Sequence, residues 1–197
     1  MTRPSDSLPD SYFEAKYTAD IDPWRFRTSD YERQKYRATI AALTKSVYRR
    51  GLEVGCSIGV LSALLAPRCD YLLALDGSQT AVTEARRQTI PNLSFEVACL
   101  PDQFPQATFD LILLSEVLYY FSVADLARVA QLCLDAIEPG GDIVLCHWLG
   151  ETDYPLTGVA ASELFAAAAS SRLPVRAILH DEIYRLERLS WPSDDAK

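Results

Sequence analysis

A single α/β domain built on a mostly parallel sheet is the fold class this sequence predicts, and three observations predict it. Strand-length apolar runs alternate with helix-length amphipathic stretches from about residue 51 to 147, a succession that gives parallel strands with helices over both sheet faces. The first of these runs passes directly into a glycine-bearing turn, LEVGCSIG at 52–59, which sets backbone amides at the tip of a strand. The last two extended runs, 175–180 and 183–189, are linked only by Asp181 and Glu182. So short a link excludes a parallel crossover, and the pair must run antiparallel.

The elements follow in order. Residues 1–11 are polar, carry two prolines and read as loose. Ser29 and Glu32 form a capping box, and Tyr36, Ile40, Leu43 and Val47 then fall on one helical face. Residues 1–48 thus form an N-terminal extension placed to cover a ligand site on the sheet. Strand one is expected at 51–54, a helix at 59–66, strand two at 71–75, a helix from the Ser78 cap to about 89, and strand three at 93–98. Strand four is the buried run 110–114, and the next helix starts after Ser122, with Asp125 completing a second capping box. That helix stops before Pro139-Gly140-Gly141, strand five is 142–147, and a helix at 158–171 precedes the antiparallel pair. No internal repeat or second domain is visible.

Composition narrows the partners. The chain has 197 residues, 49% apolar and 23% charged, enough for one sizeable core and too few for two ordinary domains. Nineteen basic against twenty-seven acidic residues leave a net charge of −8, which argues against nucleic acid and anionic membranes as partners. The five cysteines, Cys56, Cys69, Cys99, Cys133 and Cys146, are odd in number and lack a CxxC pair, so they read as reduced thiols of a cytoplasmic protein. With two histidines and no ligand cluster, no metal is expected. The N-terminus has no apolar signal core, and no apolar run approaches the ~20 residues that span a bilayer.

The chemistry concentrates at the strand ends. Glu53, Gly55, Ser57 and Gly59 form the first turn, and Asp76 with Gly77 closes strand two 21 residues after Gly55. A dinucleotide fingerprint would place glycine at the positions of Gly55, Ser57 and Val60, and two of the three are absent. A carboxylate at Glu53 repels a pyrophosphate and favours a ligand with an ammonium group. S-adenosylmethionine has an ammonium, a sulfonium, a ribose for Asp76 and no phosphate. Cys99 and Leu100 end strand three, where an adenine ring would lie, and Ser115 and Glu116 end strand four. His147 and Trp148 end strand five; His147 is the first candidate for a general base and Glu116 the second. A lone histidine is as readily a hydrogen-bonded structural residue. Tyr119, Tyr120, Asp153 and Tyr154 are candidate acceptor contacts, with His147 and Trp148, and Trp24 and Arg25 could reach the cofactor carboxylate from the extension.

LEVGCSIG, ALDGS and FDLILLSEVLYYF resemble the successive cofactor segments of class I S-adenosylmethionine-dependent methyltransferases. DPWRF with the helix behind it, GCSIG and SEVLYY are similar to the nodulation protein S-like (NodS-like) branch, over about residues 12–150. The resemblance implies a Rossmann-like sheet of order 3-2-1-4-5-7-6 with the last strand reversed, S-adenosyl-L-methionine as cofactor and S-adenosyl-L-homocysteine as product. It implies methyl transfer to an N or O nucleophile of a small molecule, with an amino sugar or oligosaccharide as the acceptor class. The segment HWLGETDYPLTG at 147–158 departs from the branch where acceptor choice is set. Two other readings stay open: a non-catalytic S-adenosylmethionine-binding regulatory or assembly protein, and an NAD-dependent oxidoreductase.

Overall fold

A computed structural model describes residues 3–191. Its elements in chain order are α1 (Asp10–Ala19), α2 (Asp30–Ala41), β1 (Tyr48–Val54), α3 (Val60–Leu65), β2 (Cys69–Asp76), α4 (Gln79–Ala85) and β3 (Leu93–Val97). They continue with β4 (Phe109–Ser115), α5 (Val123–Ala136), β5 (Ile137–Trp148), α6 (Gly158–Ala169), β6 (Val175–Asp181) and β7 (Tyr184–Ser190). One seven-stranded sheet has the order β3-β2-β1-β4-β5-β7-β6. The first five strands of that order pair in parallel, and β7 runs antiparallel to both β5 and β6. This is the Rossmann-like arrangement of class I methyltransferases.

Side-chain alternation divides the core into two layers, because neighbouring residues of a strand face opposite sides of the sheet. Leu52, Val54, Leu73, Leu75, Ile112, Leu114, Ile143 and Leu145 pack on one face against Leu126, Val129 and Cys133 of α5 and Phe165 of α6. Leu72, Leu111, Leu113, Val144 and Cys146 pack on the other against Tyr36 of α2 and Leu61 and Leu65 of α3. Every residue of β4 is buried, as a central strand covered on both faces requires. Caps fix the helix starts: Ser29, Ser78, Ser122 and Thr157 each accept a backbone N–H three residues on.

The expected boundaries need several corrections, among them β1, which starts at Tyr48 and not at residue 51. The helix begun at Ser29 ends at Ala41, well short of Val47, which is 47% exposed. Tyr48 causes the change: its buried hydroxyl accepts the amide of Thr44 at 3.1 Å and donates to Asp142 at 2.6 Å, so the chain turns into β1 instead of continuing the helix. The helix after Ser78 stops at Ala85 rather than near 89. Strand β5 starts at Ile137, and Pro139-Gly140-Gly141 bulges between its pairing with Phe109 and with Leu111. Residues 10–19 form α1, and the segment before it is tethered, not loose. Leu8 donates its amide to Tyr120 at 2.9 Å, and the Arg3 guanidinium donates to the carbonyl of Tyr154 at 2.6 Å.

Candidate functional site

The tips of β1, β2 and β4 converge at one end of the sheet, and backbone hydrogen bonds lock the first two together. Gly55 and Cys56 both donate their amides to the carbonyl of Leu75 at 2.8 Å. Gly55 holds φ +80°, and a Cβ there would meet Val117 at 3.2 Å and the Ser115 carbonyl at 3.3 Å. Glycine is therefore required both for the turn and for the close approach of the β4 tip. Ser57 holds φ +53°. Its amide donates to Asp76 Oδ2 at 2.8 Å, and its hydroxyl accepts from Tyr17 at 2.5 Å.

Asp76 receives a second amide, from Ser78, on Oδ1 at 2.9 Å. Burial pushes its pKa up to about 6 although the two amides favour the ionised form. Two bonds leave a carboxylate with free lone pairs, and the residue faces a cavity of about 460 Å³. Glu53 lies deeper, 1% exposed. Its Oε2 is buried with no hydrogen-bond partner among the described residues; burial raises its pKa to about 7, against the pull of the neighbouring Ser62 hydroxyl and with the Asp76 charge adding. A buried carboxylate oxygen without a donor is costly in isolation, and an ammonium or N–H group brought by a ligand removes that cost. Glu53, Gly55, Ser57, Ser115 and Glu116 wall a recess of about 30 Å³, and the last four also border or line the main cavity.

Glu116, immediately beyond β4, holds φ +55°. Its Oε1 pairs with the Lys35 ammonium; its Oε2 accepts from the Tyr119 hydroxyl at 2.6 Å and the Trp148 amide at 2.9 Å. Burial alone would raise the Glu116 pKa, but the Lys35 charge and these donors bring it below the usual carboxylate value. The far wall is aromatic. Tyr119 packs edge-on to Tyr120 at 4.6 Å and stacks on Tyr154 at 5.4 Å. The extension supplies Phe13, Tyr17, Trp24, Phe26 and Tyr31.

The structure therefore brings Trp24, Gly55, Ser57, Asp76, Gly77, Leu100, Ser115, Glu116, Tyr119, Tyr120, Trp148 and Tyr154 to one cavity, with Glu53 in its recess. Five expected site residues stand outside it. His147 is fully buried; its Nε2 accepts the Leu118 amide at 3.2 Å and its Nδ1 lies 3.4 Å from the Ser162 hydroxyl. Burial lowers its pKa to about 4 and its Nε2 is occupied by the Leu118 amide, so the structure does not bring this first candidate base to the cavity. Arg25 is exposed in a turn with φ +58°, away from the cavity lining. Cys99 is not itself in the lining, although Ala98 and Leu100 on either side are; its thiol lies beside Asp10 at the cavity edge, and its amide donates to Gln103 at 2.8 Å. Asp153 is exposed outside the lining. Gly59 starts α3 at φ +79°, where a Cβ would come within 2.7 Å of Phe95; it serves packing.

Lys35 and Glu32 were not foreseen. The apolar stripe read from Tyr36 and Ile40 hid the real buried stripe of α2, which is Glu32, Lys35, Tyr36 and Thr39. Their i, i+3, i+4, i+7 spacing was the available signal, masked because two members are charged. Among the described residues no group of His, Cys, Asp or Glu could hold a metal ion, and no helix is long and apolar enough to cross a membrane.

Comparison with known proteins bears on the fold and the family. The family model described as nodulation protein S (NodS) matches residues 11–140. Nodulation protein S of Rhizobium tropici is 31% identical over 127 residues, 62% of this chain and 53% of that protein. The Bradyrhizobium diazoefficiens protein of the same name is 37% identical over 107 residues, 50% of this chain and 49% of the relative. The chain thus spans about half the length of the curated relatives it matches. A solved structure from Pseudomonas syringae, provisionally described as a methyltransferase, is 38% identical, with a TM-score of 0.69 over 82% of this chain and 99% of its own. The N-methyltransferase NodS from Bradyrhizobium japonicum WM9, solved with S-adenosyl-L-homocysteine, has the same fold, with a TM-score of 0.75 at 22% identity over 93% of this chain and 98% of its own. Matched across most of the segment that builds the sheet tips and the cavity, this chain belongs to the nodulation protein S family.

Proposed function

We propose that the chain is an S-adenosylmethionine-dependent methyltransferase that moves a methyl group to an amine or hydroxyl of a small, sugar-like acceptor. One observation carries the reading: two carboxylates, the buried Glu53 and the partly buried Asp76, stand on adjacent strand tips at the recess and at the main cavity. The unpartnered Glu53 oxygen suits the cofactor ammonium, and the free lone pairs of Asp76 suit the two ribose hydroxyls. Neither suits a pyrophosphate, which speaks against the NAD reading. Leu100 and Ala98 would flank the adenine. The extension, residues 1–48, closes over the cofactor in this reading, with Tyr17 and Trp24 as its inner face.

The cofactor, when bound, supplies an electrophilic methyl on its sulfonium. The protein then has to bind, align and exclude water, which can account for roughly 7–11 kcal/mol of the barrier. Tyr119, Tyr120, Tyr154 and Trp148 form the wall against which an acceptor would be held. Glu116, ionised and engaged by three donors, acts as a hydrogen-bond acceptor and orienting group more than as a base. An amine that arrives neutral needs no base, so the burial of His147 is no obstacle. The solved relative described as the N-methyltransferase NodS supports a nitrogen acceptor, and the amino-sugar class is what the family resemblance implies.

Labelled methyl transfer tests the reading. Purified protein with S-adenosylmethionine and a glucosamine tetramer, beside a panel of simple amines and sugars, should yield a methylated product and S-adenosylhomocysteine. Binding of S-adenosylhomocysteine with no transfer to any member of the panel would favour the non-catalytic alternative.

A further inference from the structure

We propose that Lys35 is a positioning residue that acts through Glu116 to fix two walls of the cavity, the Tyr119 side chain and the backbone at Trp148. The proposal rests on the methyl-transfer reading above. Lys35 is 1% exposed, a costly place for an ammonium unless it is fully paired. Its Nζ forms a close ion pair with Glu116, lies 3.0 Å from Glu32 Oε1, and sits 5.1 Å from the centre of the Tyr31 ring.

Glu116 is where three separate elements meet. The Lys35 ammonium comes from α2, the Tyr119 hydroxyl from the turn Leu118–Tyr120, and the Trp148 amide from the end of β5. Lys35 takes one carboxylate oxygen, and the other two donors share the second. The cation therefore sets the plane of the carboxylate, and with it the place of the oxygen that holds Tyr119 and Trp148. The residue also holds a left-handed backbone conformation at φ +55°, which a non-glycine side chain keeps only when its surroundings insist. Without Lys35 the partly buried carboxylate loses its close cation, and its neutral form would donate a hydrogen bond where acceptance is needed.

The test compares Lys35→Met, Lys35→Arg, Glu116→Gln and the Lys35→Met/Glu116→Gln pair in the full chain. Each is measured by S-adenosylhomocysteine binding, by hydrogen exchange at the Trp148 amide, and by methyl transfer to the glucosamine tetramer. For Lys35→Met the expected result is a dissociation constant within threefold of the parent, Trp148 exchange at least tenfold faster and kcat at least tenfold lower. Lys35→Arg should recover most of both losses. The paired variant should be no worse than the worse single change, because both substitutions break one chain of contacts. Unchanged Trp148 exchange in Lys35→Met, or additive losses in the pair, would overturn the assignment. If Lys35→Met alone does not fold, the pair, in which no charged Glu116 is left without its cation, supplies the exchange measurement. A parent protein that binds no S-adenosylhomocysteine would defeat the methyl-transfer reading instead, while Trp148 exchange would still decide the role of Lys35.

Discussion

His147 shows how position along a strand and direction of a side chain differ. It ends β5 on the ligand-bearing edge, as expected, but it points into the layer beneath the turn Leu118–Tyr120 and accepts the Leu118 amide at 3.2 Å. Replacing it by an apolar residue strands that amide, and an unpaired buried donor costs about 1–3 kcal/mol. His147→Phe should therefore lower thermal stability, while methyl-transfer activity at a temperature below the transition survives; a fully folded but inactive His147→Phe would contradict this account. Asp76 was legible because only one acidic residue closes the second apolar run. Lys35 was not, since a buried lysine becomes readable only when its two carboxylate partners, one 81 residues away, are brought beside it.

At the scale of elements, the N-terminal extension is held to the sheet domain by apolar packing of α2 and of Phe13 and Tyr17, and by polar contacts besides. The clearest is Glu14 of α1, which accepts from the Ser78 hydroxyl at 2.6 Å and the Thr80 amide at 3.2 Å, at the N-terminus of α4. Ser78 caps α4 at the same time, accepting the Ala81 amide at 3.1 Å. Ser78→Ala removes the cap and one of the hydrogen bonds of the tether, leaving those from Thr80, and a lost cap alone costs about 1 kcal/mol. The expected outcome is a lower denaturant midpoint together with faster proteolytic cutting within residues 10–19; an unchanged cutting rate would mean that α1 is held elsewhere. Such tethers explain why α1 escaped sequence reading. DSYFEAKYTA carries only Phe13 and Tyr17 as an apolar pair and no cap at Pro9, so its helix depends on packing against Ser57 and α4. The sheet, in contrast, is written in the apolar runs themselves, and the two-residue link before β7 dictated its reversal.

Across the whole molecule the two carboxylates couple folding, pH and ligand. Glu53 and Asp76 have folded-state pKa values raised to about 7 and about 6 by burial. A raised carboxylate stabilises the folded state most below its unfolded value, and that contribution is lost as pH rises through the folded value. From these two groups, the ligand-free protein should lose stability between about pH 4 and 7, and Glu53→Gln should flatten that part of the profile. A ligand that brings an ammonium to Glu53 and hydroxyl donors to Asp76 works in the opposite direction, drawing both groups into the ionised form. Binding of S-adenosylhomocysteine below about pH 7 should therefore release protons, seen calorimetrically as a dependence of the binding heat on buffer ionisation that disappears near pH 8. No such dependence at pH 6 would mean that the carboxylates are already charged or do not meet the ligand.

The most direct measurement is a calorimetric titration of S-adenosylhomocysteine and of NAD into the parent protein, Glu53→Gln and Asp76→Asn at pH 8. Loss of a hydrogen bond to a charged group costs about 1.5–3 kcal/mol, so each variant should bind S-adenosylhomocysteine at least tenfold more weakly than the parent, with no NAD bound by any of them. Parent-like affinity in both folded variants, or tight binding of NAD in place of S-adenosylhomocysteine, would contradict it.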